Sequence, residues 1–322
     1  MAAKKTSRTR TRKGKTSAKR TAPRLLRAPA TAVAAVPHVV SYEQVLAAAP
    51  GDVPSQSEYA LCILAEGDSW FSMSGIPGDN LLNELRFERR AIVVNAAYPG
   101  DTIRHMSELS TSMPLRRMLF EKNFAFDWDV FLLSGGGNDL IDSAGNIIIS
   151  PSNGPSEDPL DYINRQRLAI LVQDVQAGYR RIASLRDTSQ NLHNRDIPIV
   201  THQYDFPTPR DSPARFLGIP IRGPWLAPAL DAANVSDPRL RQAISDHLLV
   251  ALGTGIAELA NGPDPIPNFH VTNTANTLDR ADAKATGVSG DWQNEIHPSS
   301  PGYRKLGDKV VAVIEGLNVG RP

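Results

Sequence analysis

The sequence predicts an α/β fold, a three-layer α/β/α sandwich built on a mainly parallel five-stranded sheet. Short, almost unbroken apolar runs recur along the chain, the pattern of strands covered on both faces. Between them lie longer segments whose apolar residues fall three and four apart, as on one face of a helix. That alternation is what a parallel sheet with crossover helices requires.

Strands are expected at 59–65, 91–96, 129–134, 197–204 and 267–271. A helix at about 80–89 follows the first of them. Leu168, Leu171, Val172, Val175, Tyr179, Ile182 and Leu185 mark a long helical face, and Leu240, Ile244, Leu248, Leu252, Ile256 and Leu259 mark a second. A last helix begins after Pro301 and carries Tyr303, Leu306, Val310, Val313 and Leu317. Two stretches, 140–160 and 205–230, are rich in turn-forming residues and too long for ordinary connections, which suits pocket walls or lids. No internal repeat is visible.

The chain has 322 residues, 41% of them hydrophobic, enough for one sizeable core. Its formal charge of +1 hides an asymmetry. Of the 35 Lys and Arg, eleven lie in residues 1–30, where no acidic residue occurs, leaving 24 basic against 34 acidic residues in the remainder. Residues 1–38 hold too few large apolar side chains to offset the entropy of ordering and are expected to be a disordered basic tail, with the folded domain at 39–322. The tail suits either a solubilising segment or an arm for an anionic partner such as nucleic acid, anionic lipid or a polyanionic granule. It has no aromatic residue on which a base could stack.

Cys62 is the one cysteine, which excludes an intramolecular disulfide and fits a reducing compartment, so a cytoplasmic location is expected, with export as the alternative because exported enzymes can also lack disulfides. Residues 30–40 come nearest to a signal-peptide core, but they contain little Leu and are interrupted by Pro37-His38. No transmembrane segment is expected.

Four short blocks carry the chemistry. Gly67-Asp68-Ser69-Trp70 follows the first apolar run, placing Ser69 at the carboxyl end of a strand, the edge where open α/β sheets bind ligands. Gly100 follows the second run in Tyr98-Pro99-Gly100-Asp101-Thr102, where a Pro-Gly turn leads into a helix capped by Asp101 or Thr102. Asn138 follows the third run through Gly135-Gly136-Gly137, and its neutral amide is a donor suited to a developing oxyanion. His297 lies in Asn294-Glu295-Ile296-His297-Pro298, just before the last helix. Taken singly, each block is also an ordinary turn or helix cap.

In this order the blocks resemble the SGNH (GDSL-type) esterase and acylhydrolase family, whose Ser, Gly, Asn and His are matched by Ser69, Gly100, Asn138 and His297. The resemblance covers about residues 59–317 and implies a flavodoxin-like sheet order. It also implies ester hydrolysis through an acyl-enzyme on Ser69, with His297 as base and an oxyanion hole formed by the Ser69 and Gly100 N–H groups and the Asn138 amide. The family's Asp-x-x-His motif here reads Asn294-x-x-His297, so Asn294 takes the position that orients the imidazole; Asp291, Glu295 or a backbone carbonyl are alternatives. Asp68, Trp70, Asp139, Tyr204 and Trp225 are candidate substrate contacts. The apolar residues Phe206, Phe216, Leu217, Ile219, Ile221, Trp225 and Leu226 suit either an acyl pocket or a satellite core. The substrate expected is a small-molecule, lipid or sugar ester, and neither cofactor nor metal is expected, since the histidines lack paired ligand spacing. A catalytically weak binding or scaffold protein on a hydrolase fold, its tail holding an anionic surface, is the alternative.

Overall fold

The computed structural model describes residues 34–47, 56–72, 80–108, 113–122, 126–216 and 219–321. The expected basic tail lies outside the described residues up to residue 33. The remainder of that segment belongs to the fold. Ala35 and Phe87 exchange backbone hydrogen bonds of 2.8 and 3.0 Å, and His38 opens a strand.

The strands are β1 (His38–Ser41), β2 (Leu61–Gly67), β3 (Ala91–Asn95), β4 (Val130–Ser134), β5 (Ile199–His202), β6 (Ala214–Phe216), β7 (Ile219–Arg222) and β8 (Phe269–Thr272). The helices are α1 (Tyr42–Ala47), α2 (Ser69–Ser72), α3 (Leu81–Glu84), α4 (Ile103–Ser107), α5 (Met113–Leu115), α6 (Gly137–Ile147), α7 (Arg165–Asp187), α8 (Ala227–Ala232), α9 (Pro238–Asn261) and α10 (Ser300–Gly316). The main sheet has six strands in the order β1-β3-β2-β4-β5-β8, all parallel, where five were expected. The extra strand is β1, whose four residues His38-Val39-Val40-Ser41 bury only Val40 and so resemble a connection in sequence. Strands β2 and β4 are buried at every position, which explains their unbroken apolar runs.

The flanking layers follow from the predicted helical faces. Helix α7 buries Leu168, Leu171, Val175, Tyr179, Ile182 and Leu185, and its N-terminus is capped by the Asn164 side chain. Helix α9 starts at Pro238 behind the Asp237 cap. It is long and apolar enough to cross a membrane by composition, but Ile244, Leu248, Leu252, Ile256 and Leu259 are buried in the domain core. Helix α10 buries Tyr303, Leu306, Val310 and Ile314, so its face runs through Ile314 where spacing suggested Val313. The helix expected at about 80–89 shrinks to α3, because Leu85 turns extended and the chain must reach β3.

From β2 the chain passes to β3 on one side, then crosses back to β4 on the other. The reversal leaves a crevice beyond the carboxyl ends of β2, β3 and β4, the position where doubly wound sheets bind ligands. Ser69, Gly100 and Asn138 lie just past these three ends.

Candidate active site

Ser69 opens the short helix α2, one residue after Asp68 ends the turn from β2. Its Oγ lies 2.8 Å from His297 Nε2, although 228 residues separate the two in sequence. His297 Nδ1 lies 3.0 Å from Asn294 Oδ1. That same oxygen accepts the backbone N–H groups of Ile296 at 3.1 Å and His297 at 2.9 Å. Backbone N–H groups can only donate, so the Asn294 atom they meet is the carbonyl oxygen, and His297 Nδ1 must carry the proton. Nε2 is then left with its lone pair toward the Ser69 hydroxyl. Asn294 thus selects the tautomer that a general base needs.

The alternatives for this role are occupied elsewhere. Asp291 accepts the Asp279 N–H and pairs with Lys305 at 2.5 Å. Glu295 is fully buried and accepts backbone N–H groups from Arg210, Trp225, Leu226 and Ala227, tying the loop that carries His297 to the 205–230 segment. Among the described residues no carboxylate bonds to the imidazole. Burial, followed by the nearby charge of Arg222, pushes His297 down to a pKa of about 4, so it is neutral at pH 7.

Gly100 has φ +87°, a conformation that suits glycine, and a side chain there would meet the Arg222 guanidinium, 3.0 Å from the position of a Cβ. Thr102 caps α4 by accepting the His105 N–H. Asn138 lies in the first turn of α6, and its Nδ2 donates to the Asp101 carbonyl at 2.9 Å. One amide hydrogen is fixed by that bond, and the second meets no acceptor among the described residues. Such a set, a serine beside an unprotonated imidazole and amide donors around a crevice, is able to carry out acyl transfer.

Two cavities meet at Ser69, Asn138 and Ile296. The smaller, about 40 Å³, is walled by Leu140, Ile141, Leu226 and Leu249 and touches Trp70, Tyr204 and Asp68. The larger, about 260 Å³, holds Gly100, Ser72, Arg222, Trp225 and His297. The segment 140–160 therefore supplies one cavity wall through α6, which is regular helix to Ile147, and the 205–230 segment covers the site with the β6–β7 hairpin. Of the expected lining residues, Ile221, Trp225 and Leu226 reach the cavities. Ile219 is exposed and Phe206 packs partly against the core, while the Phe216 side chain and Leu217 lie outside the described residues.

The expected substrate contacts divide. Trp225 sets its ring edgewise to His297, with centroids 5.2 Å apart. Trp70 and Tyr204 reach the smaller cavity, but both also have structural tasks. The Trp70 indole donates to the Ile296 carbonyl at 3.2 Å, holding the His297 loop, and stacks on His202. Tyr204 donates its hydroxyl to Asp68, which also accepts the Trp70 N–H and the Ser134 hydroxyl. Burial raises Asp68 to a pKa of about 6. Asp139 is a correction: its carboxylate accepts the Ile103 N–H at 2.8 Å at the start of α4 and lines neither cavity at Ser69. A carboxylate so placed is held by the helix terminus.

Sequence reasoning missed Arg222 and the anchoring role of Glu295. Their one signal was adjacency to residues already singled out, Trp225 and His297. Among the described residues no cluster of three or more His, Cys, Asp or Glu side chains is arranged to hold a metal ion.

No family model matches the sequence, and no curated protein does. Among solved structures, the chain is similar to a lipase from a goat rumen metagenome, at 15% identity and TM-score 0.43, over 78% of this chain and 96% of that one. It is similar to an extracellular lipase from Streptomyces rimosus, at 15% identity and TM-score 0.40, over 80% and 99%. A putative arylesterase from Agrobacterium tumefaciens matches at 13% identity and TM-score 0.43, over 80% and 99%. At such identities and scores the likeness carries no chemistry, and the side chains must.

Proposed function

We propose that this chain is a serine hydrolase of the SGNH type that cleaves a carboxylic ester through an acyl-enzyme on Ser69. The observation that carries the reading is the 2.8 Å contact between Ser69 Oγ and a His297 Nε2 whose lone pair is set by Asn294. In the first half-reaction Nε2 takes the Ser69 proton as Oγ attacks the carbonyl carbon. The Ser69 and Gly100 N–H groups and the unoccupied Asn138 amide hydrogen would hold the oxyanion. Nε2–H then gives its proton to the departing alcohol. Water repeats the sequence on the acyl-enzyme, with His297 again as base, releasing the acid and free Ser69.

The smaller cavity favours a short acyl group. At roughly 10–15 Å³ per water-sized group, its 40 Å³ holds about three such groups. The expected result is fastest cleavage of acetyl and propionyl p-nitrophenyl esters, with stoichiometric labelling of Ser69 by a fluorophosphonate. Esterase activity that survives in Ser69→Ala would sink the assignment.

A second reading, a weak or idle hydrolase that serves as a binding protein, is favoured by the absence of a carboxylate on His297 among the described residues. It expects no labelling of Ser69 over hours. The tail's anionic partner belongs to this reading, and removal of residues 1–33 would then abolish salt-sensitive DNA binding.

A further inference from the structure

Arg222 is a cation that lines the same cavity as the proposed catalytic pair. It ends β7 and shares the larger cavity with Ser69, Gly100 and His297. Its Nη1 and Nη2 lie 3.0 and 3.3 Å from where a Gly100 Cβ would stand, so the guanidinium lies over the loop that carries a proposed oxyanion donor. Among the described residues no carboxylate pairs with it, whereas Arg210 and Arg241 are each held by backbone or carboxylate oxygens. Like the rest of β7, Arg222 is exposed, so it reaches the cavity from its open side. Gly223, with φ +82°, lets the Trp225 ring fold back to within 2.5 Å of where a Cβ would stand, and Glu295 then grips the Trp225, Leu226 and Ala227 N–H groups. Arg222 and Trp225 both line the larger cavity.

The charge of this guanidinium disfavours protonation of the buried imidazole and depresses His297 further. A guanidinium on the open side of this cavity, over the Gly100 loop, suits recognition of an oxyanion on the substrate. The smaller cavity is the shorter, which suits it to the acyl group and leaves the larger one, lined by Arg222, to the alcohol.

Resting on the acyl-enzyme reading above, we infer that Arg222 selects esters whose alcohol portion carries a carboxylate or a phosphate. The chemistry is unchanged: Ser69 forms the acyl bond, and the anionic alcohol leaves with the proton from His297.

The test compares 4-acetoxybenzoate with its neutral methyl ester, and adds 4-acetoxyphenyl phosphate, for the wild type, Arg222→Met and Arg222→Lys. Comparing ratios between variants cancels the intrinsic reactivity of each ester. The wild type is expected to favour the charged ester, Arg222→Met to lower the charged-to-neutral ratio of kcat/KM tenfold or more, and Arg222→Lys to retain part of it. Whichever of carboxylate and phosphate loses more identifies the anion. The acid limb of the pH profile on the neutral ester should also move upward in Arg222→Met. Fluorophosphonate labelling of Ser69 in each variant shows that the fold is intact. An equal loss on both esters would overturn the inference, making Arg222 an oxyanion donor instead. So would a charge preference seen with 4-nitrophenyl hemisuccinate but not with 4-acetoxybenzoate, since that places the anion on the acyl side. Failure of the wild type to cleave any ester or to label would instead defeat the acyl-enzyme reading itself.

Discussion

Two Ser–His pairs among the described residues are built alike. In one, His297 Nε2 faces Ser69 Oγ at 2.8 Å while Nδ1 is held by the Asn294 oxygen. In the other, His202 Nε2 faces Ser134 Oγ at 3.0 Å while Nδ1 is held by the Gln203 carbonyl at 2.9 Å. Burial depresses both imidazoles to a pKa of about 4. Yet Ser134 and His202 lie in the core and line neither cavity, whereas Ser69 and His297 open on space flanked by Gly100 and Asn138. The pair alone does not make a reactive site. Access for a substrate and donors around its carbonyl do.

The sharpest way to break this comparison is to remove each serine. Ser69→Ala should lower ester turnover by a factor on the order of 10⁴ to 10⁶. Ser134→Ala should leave kcat/KM within a few-fold while lowering stability by about 1–3 kcal/mol, read by urea unfolding, because His202 and Asp68 lose a buried partner. Comparable activity losses in the two variants would erase the distinction.

Next in size is Asn294. Replacing it with Ala leaves the Ile296 and His297 N–H groups and the imidazole Nδ1–H without their shared acceptor. A loss on the order of 10²-fold or more in kcat is expected, toward the ~10⁴ that a wrong tautomer costs in a serine triad. Asn294→Asp should instead keep the tautomer and move the acid limb of kcat/KM upward. An unchanged profile would mean that the side chain only holds the loop.

The acid limb itself comes third. A base serves while unprotonated, so kcat/KM should rise with pH to a midpoint of about 4 and stay level above it, whereas an unperturbed histidine would give about 6.5. A midpoint at 6.5 would contradict the buried, Arg222-facing setting of His297.

The smallest effect is on stability in acid. Each histidine binds a proton more readily unfolded than folded between pH 4 and 6.5, so each lowers stability as pH falls through that window. Asp68 acts oppositely between pH 6 and its ordinary 3.8, since the folded state binds the extra proton there. His202→Gln should flatten the acid slope, and Asp68→Asn should steepen it. Equal slopes in all three proteins, followed by urea midpoints from pH 4 to 7, would show that neither group is linked to folding.

Much of this arrangement was legible in sequence because it is local. The apolar runs of β2 and β4 and the three- and four-residue spacing of α7 and α9 depend on neighbours in the chain. The placement of Ser69, Gly100 and Asn138 after successive strands follows from those runs. Strand β1 was missed because an edge strand buries too little to leave a pattern. Asp139 was misread because a carboxylate that caps a helix from another segment has no sequence mark.

The sequence by itself determined the residue types of the site and their order, since chemistry is written in side chains and strand ends in hydrophobic runs. Only the tertiary structure decided what each one faces. It turned the Asn294 oxygen onto His297, spent Asp291 and Glu295 elsewhere, sealed Ser134 away, and set Arg222 over Gly100. These are contacts between segments tens to hundreds of residues apart, and their energies depend on distance and burial, which no local pattern records.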